Sequence, residues 1–311
     1  ANNFLAALAF PESDGPVGLA WVDASTGERR GTAAKNLAHA IGELGRIEPA
    51  EVLVTGLEES IRSRLIERLA GVVLTERTLP DDAGHGALSQ ADAMLDAYLG
   101  ATRIDGHLPL KALEIQDLDG TLHLGPETVR NLELVRTLQE GRRKGSLLGL
   151  MDQTRTSMGA RRLKQWMLYP LTDLDAIHHR HDAVAALVDD PIGRSRPREE
   201  LEGVHDLERL VTRVVAGTAG PRDLDALAAS LARIGPMASH VATMANDALS
   251  RWAEDLDPVT EAIDLVRAAL VDEPPATLKD GGVIRDGFHP ELDELLAISR
   301  EGKAWFQDYA E

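Results

Sequence analysis

The hydrophobic pattern of the chain changes near residue 120, and this change constrains the fold more than any other feature. Before it, short apolar runs alternate with segments of helical periodicity, whereas only helical periodicity follows it. Alternating strands and helices predict an α/β layer, and a long series of helices predicts an all-α domain. We therefore expect an α/β domain over residues 1–119 and a mainly helical domain over residues 120–311, with the boundary within Asp117 to Gly120.

The clearest strand of the first domain is predicted at Val17 to Asp23, where both alternating sets of residues are mostly apolar. That pattern is typical of a strand covered on both faces. A turn is expected to follow at Ala24 to Gly27. Shorter strands are predicted at Glu51 to Val54 and Val72 to Leu74, helices around Leu37 to Leu44, Ile61 to Leu69 and Ala91 to Leu99, and a surface loop at Pro80 to Gly86.

Glycine and proline separate the predicted helices of the second domain. Gly217 with Pro221 marks the end of one helix and the start of the next, and Gly235 with Pro236 marks another break. A small strand pair is predicted around Gly282 to Gly287. The apolar residues at helical spacing are Leu174, Ile177, Val184, Leu187, Leu207, Leu210, Val211, Val214, Val215, Val259, Ile263, Val266 and Leu270. A last helix, Pro290 to Glu311, carries Leu292, Leu295, Leu296 and Phe306 and is expected to continue past the final residue.

The most distinctive stretch, Met151 to Leu171, reads MDQTRTSMGARRLKQWMLYPL. Thr156 or Ser157 can cap a helix there by accepting from a free backbone N–H, and Pro170 ends that helix near Tyr169. One apolar face is predicted, with the basic residues on the opposite or flanking face. The apolar residues are Leu163, Trp166 and Met167, and the basic residues are Arg161, Arg162 and Lys164.

Several segments resemble the MutS family of DNA mismatch-repair proteins. Within the distinctive stretch, the residues in the order of the family's core, or lever, domain are Thr156, Met158, Gly159, Arg161, Leu163, Trp166 and Pro170. Six further segments lie in family order: ANNFLAAL from Ala1 and GLAWVDASTGE from Gly18, similar to the connector domain, then LHLGPETVRNLEL from Leu122, IHHRHDAVAAL from Ile177, DLERLVTR from Asp206 and GPRDLDAL from Gly220. A last segment, KDGGVIRDGFHPELDELL, begins at Lys279. Such collinear matches are far more specific than any single motif.

The resemblance implies a ribonuclease H-like α/β connector domain, residues 1–119, followed by a helical lever domain, residues 120–311, truncated before the clamp. It implies a mechanical role, in which the segment couples mismatch binding to a distant ATPase. The parent protein is expected to bind mismatched double-stranded DNA, to form a homodimer, and to contact a MutL-type partner through the connector domain. ATP and Mg²⁺ belong to a separate ATPase domain, so no catalytic, cofactor-binding or metal-binding residue is expected here, and the segment itself is expected to be monomeric.

The charge balance argues against a broad DNA-binding surface. Up to Gly120 the chain has 10 basic and 19 acidic residues, and beyond it 23 and 32, which gives the net charge of -18. Gripping DNA phosphates requires an excess of Lys and Arg, and neither half has one. There are no cysteines, no apolar run of bilayer length and no secretory signal, so we expect a cytoplasmic protein outside the membrane.

The chain contains no phosphate-binding loop of the form G-x-x-x-x-G-K-[ST]. The nearest string, GRRKGS at Gly141 to Ser146, has the wrong spacing and follows a helical run. We therefore expect the segment neither to bind nor to hydrolyse ATP. A free-standing helical interaction module, which never had an ATPase, is an alternative reading of the same domains.

Asp23 supports a second alternative, because nucleases of the ribonuclease H-like fold hold Mg²⁺ with an aspartate on the first strand. Two-metal chemistry requires several converging carboxylates, and the sequence does not bring any of them beside Asp23. In VDASTGE, Asp23 is expected to form a strand-end turn instead. The candidate partners are Glu58, Asp81, Asp82, Asp92 and Asp96.

Three clusters could bind metal or anions. His178, His179 and His181 could contribute to a metal site, but no further ligand stands at suitable spacing. Basic runs could contact DNA phosphates or an acidic partner, although solvated helix faces are their usual structure; these runs are Arg142, Arg143, Lys144 and Arg161, Arg162, Lys164. A third run, Arg194, Arg196 and Arg198, precedes three glutamates and favours an exposed loop with local charge pairs.

Overall fold

A computed structural model describes residues 3–11, 15–69, 71–102, 109–118, 120–244 and 246–299. The chain divides into two compact units. The first contains Ala1–Pro191 and Val211–Thr218, and the second contains Ile192–Leu210 and Ala219–Glu311. The predicted domain boundary at residues 119 and 120 lies inside the first unit and stays a prediction.

A six-stranded mixed sheet forms the centre of the α/β region, with strand order β5-β4-β1-β2-β3-β6. β1, β2 and β3 are antiparallel neighbours, whereas β4 pairs parallel with β1, and β5 with β4. The strands are β1 (Phe4–Ala9), β2 (Val17–Asp23), β3 (Arg29–Ala34), β4 (Glu51–Val54), β5 (Val73–Glu76) and β6 (Glu114–Ile115). The strands predicted at β2, β4 and β5 are therefore confirmed, while the sequence analysis missed β1, β3 and β6.

Helices cover both faces of the sheet, which explains why all seven residues of β2 are buried. One core joins the sheet to α1 (Leu37–Ile47) and α2 (Glu59–Arg68), and a second joins it to α3 (Ala87–Thr102). At Gly18, an added Cβ would lie 2.0 Å from the carbonyl oxygen of Ala87, so only glycine allows α3 to approach β2 so closely. The three helices predicted in this region are confirmed.

Four more helices lie in the first unit: α4 (Pro126–Asn131), α5 (Leu147–Met151), α6 (Ser157–Leu168) and α7 (Leu174–Asp189). The side chain of Thr156 accepts from the backbone N–H of Gly159, and α6 ends before Tyr169, as predicted. The residue of α6 that is fully buried is Leu168, whereas Leu163, Trp166 and Met167 are only partly buried. On α7 only Ala183 is buried, and Leu174 and Val184 of the predicted stripe are exposed.

The remaining helices are α8 (Pro191–Glu202), α9 (Leu207–Val215), α10 (Pro221–Leu231), α11 (Ile234–Ala242), α12 (Asp247–Asp255) and α13 (Thr260–Ala269), with a 3₁₀ turn at Leu278–Asp280. Gly217 has φ 70° and follows α9, and Pro221 opens α10, as predicted. The break near Gly235 is also present, one residue earlier, because Gly235 and Pro236 occupy the first turn of α11. Residues 290–299 are helical, and Phe306 lies outside the described residues.

Two expectations for this region were wrong. Arg194, Arg196 and Arg198 lie in helix α8 and not in a loop. Pro197 is buried inside this helix, although a proline there removes one intrahelical hydrogen bond. The strand pair expected around Gly282 to Gly287 is reduced to a single antiparallel bridge between Leu270 and Ile284.

None of the described helices combines the length and the apolar character that a membrane span requires.

Candidate functional site: the contact between helix α1 and the end of helix α6

Helix α1 buries two opposite charges, Glu43 and Arg46, one turn apart. Their side chains are 0% and 1% exposed, and the charged atoms Glu43 Oε2 and Arg46 Nη2 are 2.5 Å apart. Asn36 caps the helix by accepting from the N–H of His39, which fixes the helix start and hence the face on which both charges lie. Burying a charge pair in this way costs several kcal/mol of desolvation per ion in general, so the pair depends on its surroundings.

The hydrogen bonding of this ion pair is incomplete within the described part of the chain. Arg46 Nε and Nη1 are buried without a partner there, and Glu43 Oε2 meets Arg46 without the alignment of a hydrogen bond. Burial raises the pKa of Glu43, against the opposing effects of the Arg46 charge and of a hydrogen bond from Tyr169. Burial thus disfavours the charged carboxylate, and the Arg46 charge and the Tyr169 hydroxyl offset part of that effect.

Tyr169, the residue after the last turn of α6, contacts both members of the ion pair. Its hydroxyl donates to Glu43 Oε1, and Cζ of Arg46 lies 4.7 Å from the centroid of its ring. Burial, with the Glu43 charge and hydrogen bond, raises the pKa of Tyr169 well above its usual value, so this hydroxyl stays protonated and donates. One aromatic side chain thus satisfies the carboxylate and stacks on the guanidinium.

His123 lies at the exposed edge of the same cluster. Arg46 Nη2 is 3.3 Å from His123 Nδ1, and the His123 ring stacks on His39 with centroids 4.6 Å apart. Because the guanidinium can only donate, Nδ1 must accept and carry no proton. Burial first, then the charges of Arg46 and His39, lowers the pKa of His123, which favours the same neutral ring.

Short backbone contacts hold His123 and Tyr169 side by side. The N–H of Leu122 donates to the carbonyl of Pro170 at 2.8 Å, and Thr121 forms an antiparallel bridge with Leu171. Backbone contacts therefore join the segment around Thr121 to the residues that follow α6, and both pack against α1. The small core beneath them contains Val129, Leu134, Leu168 and the partly buried Leu124, Val135 and Tyr169.

Surface charges surround the cluster and join the same elements. Glu48, which ends α1, accepts from Lys164 Nζ on α6 at 3.1 Å and lies 3.7 Å from Arg136 Nε. Arg68 of α2 pairs with Glu127 of α4. At Gly45 an added Cβ would lie 2.7 Å from Pro126, so the absence of a side chain allows α4 to reach α1. These contacts join α1 and α2 to the helices that follow the sheet, α4 and α6.

Asp23 takes part in a turn, as its sequence context predicted. Its Oδ1 accepts from the N–H of Ser25 at 2.8 Å and from Ser25 Oγ at 2.6 Å. Asp92 and Asp96 instead pair with Arg29, and burial raises the pKa of Asp92. Within the described ranges, no three His, Cys, Asp or Glu side chains form a group able to hold a metal ion. Glu58, Asp81 and Asp82 are exposed.

The remaining predicted candidates lie on the surface. His178, His179 and His181 are exposed on α7. The run from Arg142 to Lys144 is exposed in a turn and not on a helix, because Gly141 and Gly145 both adopt positive φ. Its arginines pair locally, Arg142 with Glu140 and Arg143 with Asp152.

The sequence analysis missed Glu43 and Arg46. Their spacing resembles that of an ordinary surface helix pair. The available signal was the set of small residues around them, since Ala40, Gly42 and Gly45 let other elements cover the polar side of α1.

Comparison with known proteins identifies the family. Residues 3–85 match the family described as MutS domain II, and residues 127–310, more than half of the chain, match MutS domain III. Proteins named "DNA mismatch repair protein MutS" are similar over 98% of this chain: that of Symbiobacterium thermophilum is 38% identical, that of Salinibacter ruber 37% and that of an Exiguobacterium species 39%. The chain spans only 38%, 36% and 36% of their respective lengths. The resemblance found in the sequence is thus confirmed, and the chain belongs to the MutS family of DNA mismatch-repair proteins.

Proposed function

We propose that this chain is the coupling segment of a MutS-type mismatch-recognition ATPase. The α/β region serves as the connector domain, and the helical region serves as the part of the lever domain that precedes the clamp. The observation that carries the proposal is the buried contact of Glu43 and Arg46 with Tyr169. Coupling over a distance needs stiff elements joined at an interface with discrete arrangements, and buried charges make a partly opened interface costly.

The strand order supports a ribonuclease H-like connector domain. Three antiparallel strands lie beside two helix-linked parallel strands, with helices on both faces. In this proposal the connector domain moves as a rigid body, and Asp23 stabilises the turn between β2 and β3.

The chemistry of the parent protein is proposed to lie elsewhere in its sequence. ATP and Mg²⁺ bind its ATPase domain, mismatched double-stranded DNA binds other domains, and a MutL-type partner contacts the connector domain. The parent acts as a homodimer in the cytoplasm. This segment, with its net charge of -18, contributes no catalytic residue and no broad DNA surface.

The test places Tyr169→Phe in the full-length protein. The variant keeps the ring over Arg46 but removes the hydroxyl that donates to Glu43. We expect unchanged affinity for mismatched duplex and a reduced stimulation of ATP turnover by that duplex. Tyr98→Phe is the matched control, because the Tyr98 hydroxyl also donates to a glutamate, Glu51, but within the α/β region alone.

Equal stimulation in Tyr169→Phe and in the unmodified protein would refute the coupling role of this contact. The chain by itself should show no preference for mismatched over matched duplex. Tight and selective binding by the isolated chain would contradict the proposed division of labour and favour a direct role in mismatch recognition.

A further inference from the structure

Two arginines from successive helices of the first unit lie over the ring of Trp166. Cζ of Arg180, on α7, is 4.0 Å from the ring centroid, and Cζ of Arg162, one turn before Trp166 on α6, is 6.0 Å from it. A guanidinium over an indole face is attracted by the ring quadrupole, and the contact restricts where the N–H groups of the guanidinium can point. Trp166 therefore serves as a platform for two cations.

Neither guanidinium meets a carboxylate within the described part of the chain. Arg162 Nη1 donates to the neutral Gln165 Oε1 at 3.1 Å, and Arg180 makes the stacking contact. Lys164 of α6 behaves differently, since it pairs with Glu48. The basic surface of α6 and α7 is thus divided into charges that are neutralised internally and two that are not.

Both guanidiniums contact the same indole ring, that of Trp166. Burial and the Arg162 charge lower the pKa of Arg180, which is only partly exposed. Helix α6, SMGARRLKQWML, contains no acidic residue, whereas α7 carries Asp175, Asp182 and Asp189. The acidic residues elsewhere in the chain are screened over about 10 Å at 0.1 M salt, so the local potential at these arginines is set mainly by their immediate surroundings.

We propose that Arg162 and Arg180 form an oxyanion-binding site on α6 and α7, and that its ligand is a phosphate group. Each guanidinium offers parallel N–H donors that match two oxygens of a phosphate, and the Trp166 ring holds both guanidiniums in place before the ligand arrives. A phosphate dianion neutralises both arginines, whereas a single carboxylate neutralises one. The shared chemistry fits free phosphate, the phosphate of a nucleotide and the phosphates of a DNA backbone.

The test uses the fluorescence of Trp166 in the whole chain. Trp21, Trp252 and Trp305 are replaced by Phe, and inorganic phosphate is titrated at constant ionic strength against chloride. We expect a saturable change in emission, weakened about tenfold or more by Arg180→Met and by Arg162→Met, because each change removes a charge-assisted contact. Arg196→Met, an exposed arginine of α8, is the matched control and should leave the titration unchanged.

Arg180→Lys keeps the charge but removes the paired donors, so it should also weaken the response. It replaces Arg180→Met as the test variant if a thermal melt shows that Arg180→Met does not fold.

Competition distinguishes the sources of phosphate. Duplex DNA that displaces phosphate at equal phosphate concentration assigns the site to the DNA backbone, and failure to displace it assigns the site to free phosphate or a nucleotide. An emission change no larger than that with chloride, or one that persists in both arginine variants, overturns the proposal. A response to a glutamate-rich peptide without any response to phosphate overturns it as well.

Discussion

The α/β region buries most of its large apolar side chains, whereas the helical region leaves many of them exposed. Of the large hydrophobic residues that are exposed among the described residues, three lie before residue 120 and twenty lie after it. The seven residues of β2 are all buried, whereas the sixteen residues of α7 bury only Ala183. The first region is stabilised by cores on both faces of its sheet, while the helices that follow leave many large apolar side chains exposed. The difference separates a region with its own buried core from a region whose helices leave many apolar side chains exposed.

The Glu43–Arg46 pair is almost completely buried in the densely packed region, so its removal should have the largest effect. Glu43→Leu leaves Arg46 buried without a counter-charge, and we expect a loss of about 3–5 kcal/mol in the free energy of unfolding. The double variant Glu43→Leu/Arg46→Met replaces both charges by apolar groups of similar size and should recover most of that loss. Urea denaturation of the three proteins measures the effect. A double variant as unstable as Glu43→Leu would show that the contact depends on its charges and not on its packing.

The contrast between the two regions can be tested directly with two leucines. Leu95 of α3 is fully buried against the sheet, and Leu150 of α5 is 76% exposed. Leu95→Ala should cost about 3 kcal/mol, through lost burial and the cavity left behind, while Leu150→Ala should change the free energy of unfolding by less than about 0.5 kcal/mol. Denaturation curves monitored by tryptophan fluorescence compare the two. A large cost for Leu150→Ala would mean that the surface of α5 is covered in solution.

The helices of the helical region should depend more on their capping residues for stability, because few of them bury a wide apolar face. Thr156 caps α6 through a 3.0 Å bond from the N–H of Gly159. Thr156→Ala should therefore destabilise α6 by about 1 kcal/mol, and Thr156→Ser, which keeps the oxygen, should restore most of the loss. Amide hydrogen exchange of the first turn of α6 is the measurement. Equal exchange rates in Thr156→Ala and the unmodified chain would mean that tertiary contacts, and not the cap, fix the start of this helix.

The same contrast explains how much of the fold the sequence could predict. Strand β2 and helix α6 were predicted from local patterns, an apolar run covered on both faces and a Thr cap followed by a Pro stop. Strand β3 was missed because its sequence, RRGTAA, contains two arginines and lacks large apolar residues, and it pairs through its backbone with β2. Its existence depends on a neighbour distant in sequence, which local periodicity cannot report.

The candidate site was harder to predict than the fold. Glu43, Arg46 and Tyr169 lie up to 126 positions apart in sequence. Tyr169 was recognised only as the residue before Pro170, and the two charges were not singled out. Arg194, Arg196 and Arg198 show the opposite error, since Gly193 and Pro197 predicted a loop where the structure has a helix with Pro197 buried inside it. In both cases the deciding fact is which surface a neighbouring element covers.

The smallest expected effect concerns pH at the edge of the buried cluster. The pKa of His123 is lowered in the folded chain, so between its folded and unfolded values the unfolded chain binds more protons. The stability contributed by the neutral ring is fully present above the unfolded pKa of about 6.5 and is lost as pH falls through the folded pKa. The effect should stay below about 1 kcal/mol, because His123 is exposed and water screens its neighbours.

His123→Gln removes this titration while keeping a polar side chain beside Arg46. The difference in unfolding free energy between the unmodified chain and His123→Gln should therefore shrink or reverse as the pH is lowered from 8 to 5. The neighbouring Glu43 contributes with the opposite sign, since its raised pKa costs stability as pH rises above the unfolded value of about 4.5, but that contribution is common to both proteins and cancels in the difference. A difference that does not vary with pH would mean that His123 gains no stability from its neutral form. The contact of Arg46 with Nδ1 would then be incidental, and the cluster would end at Tyr169.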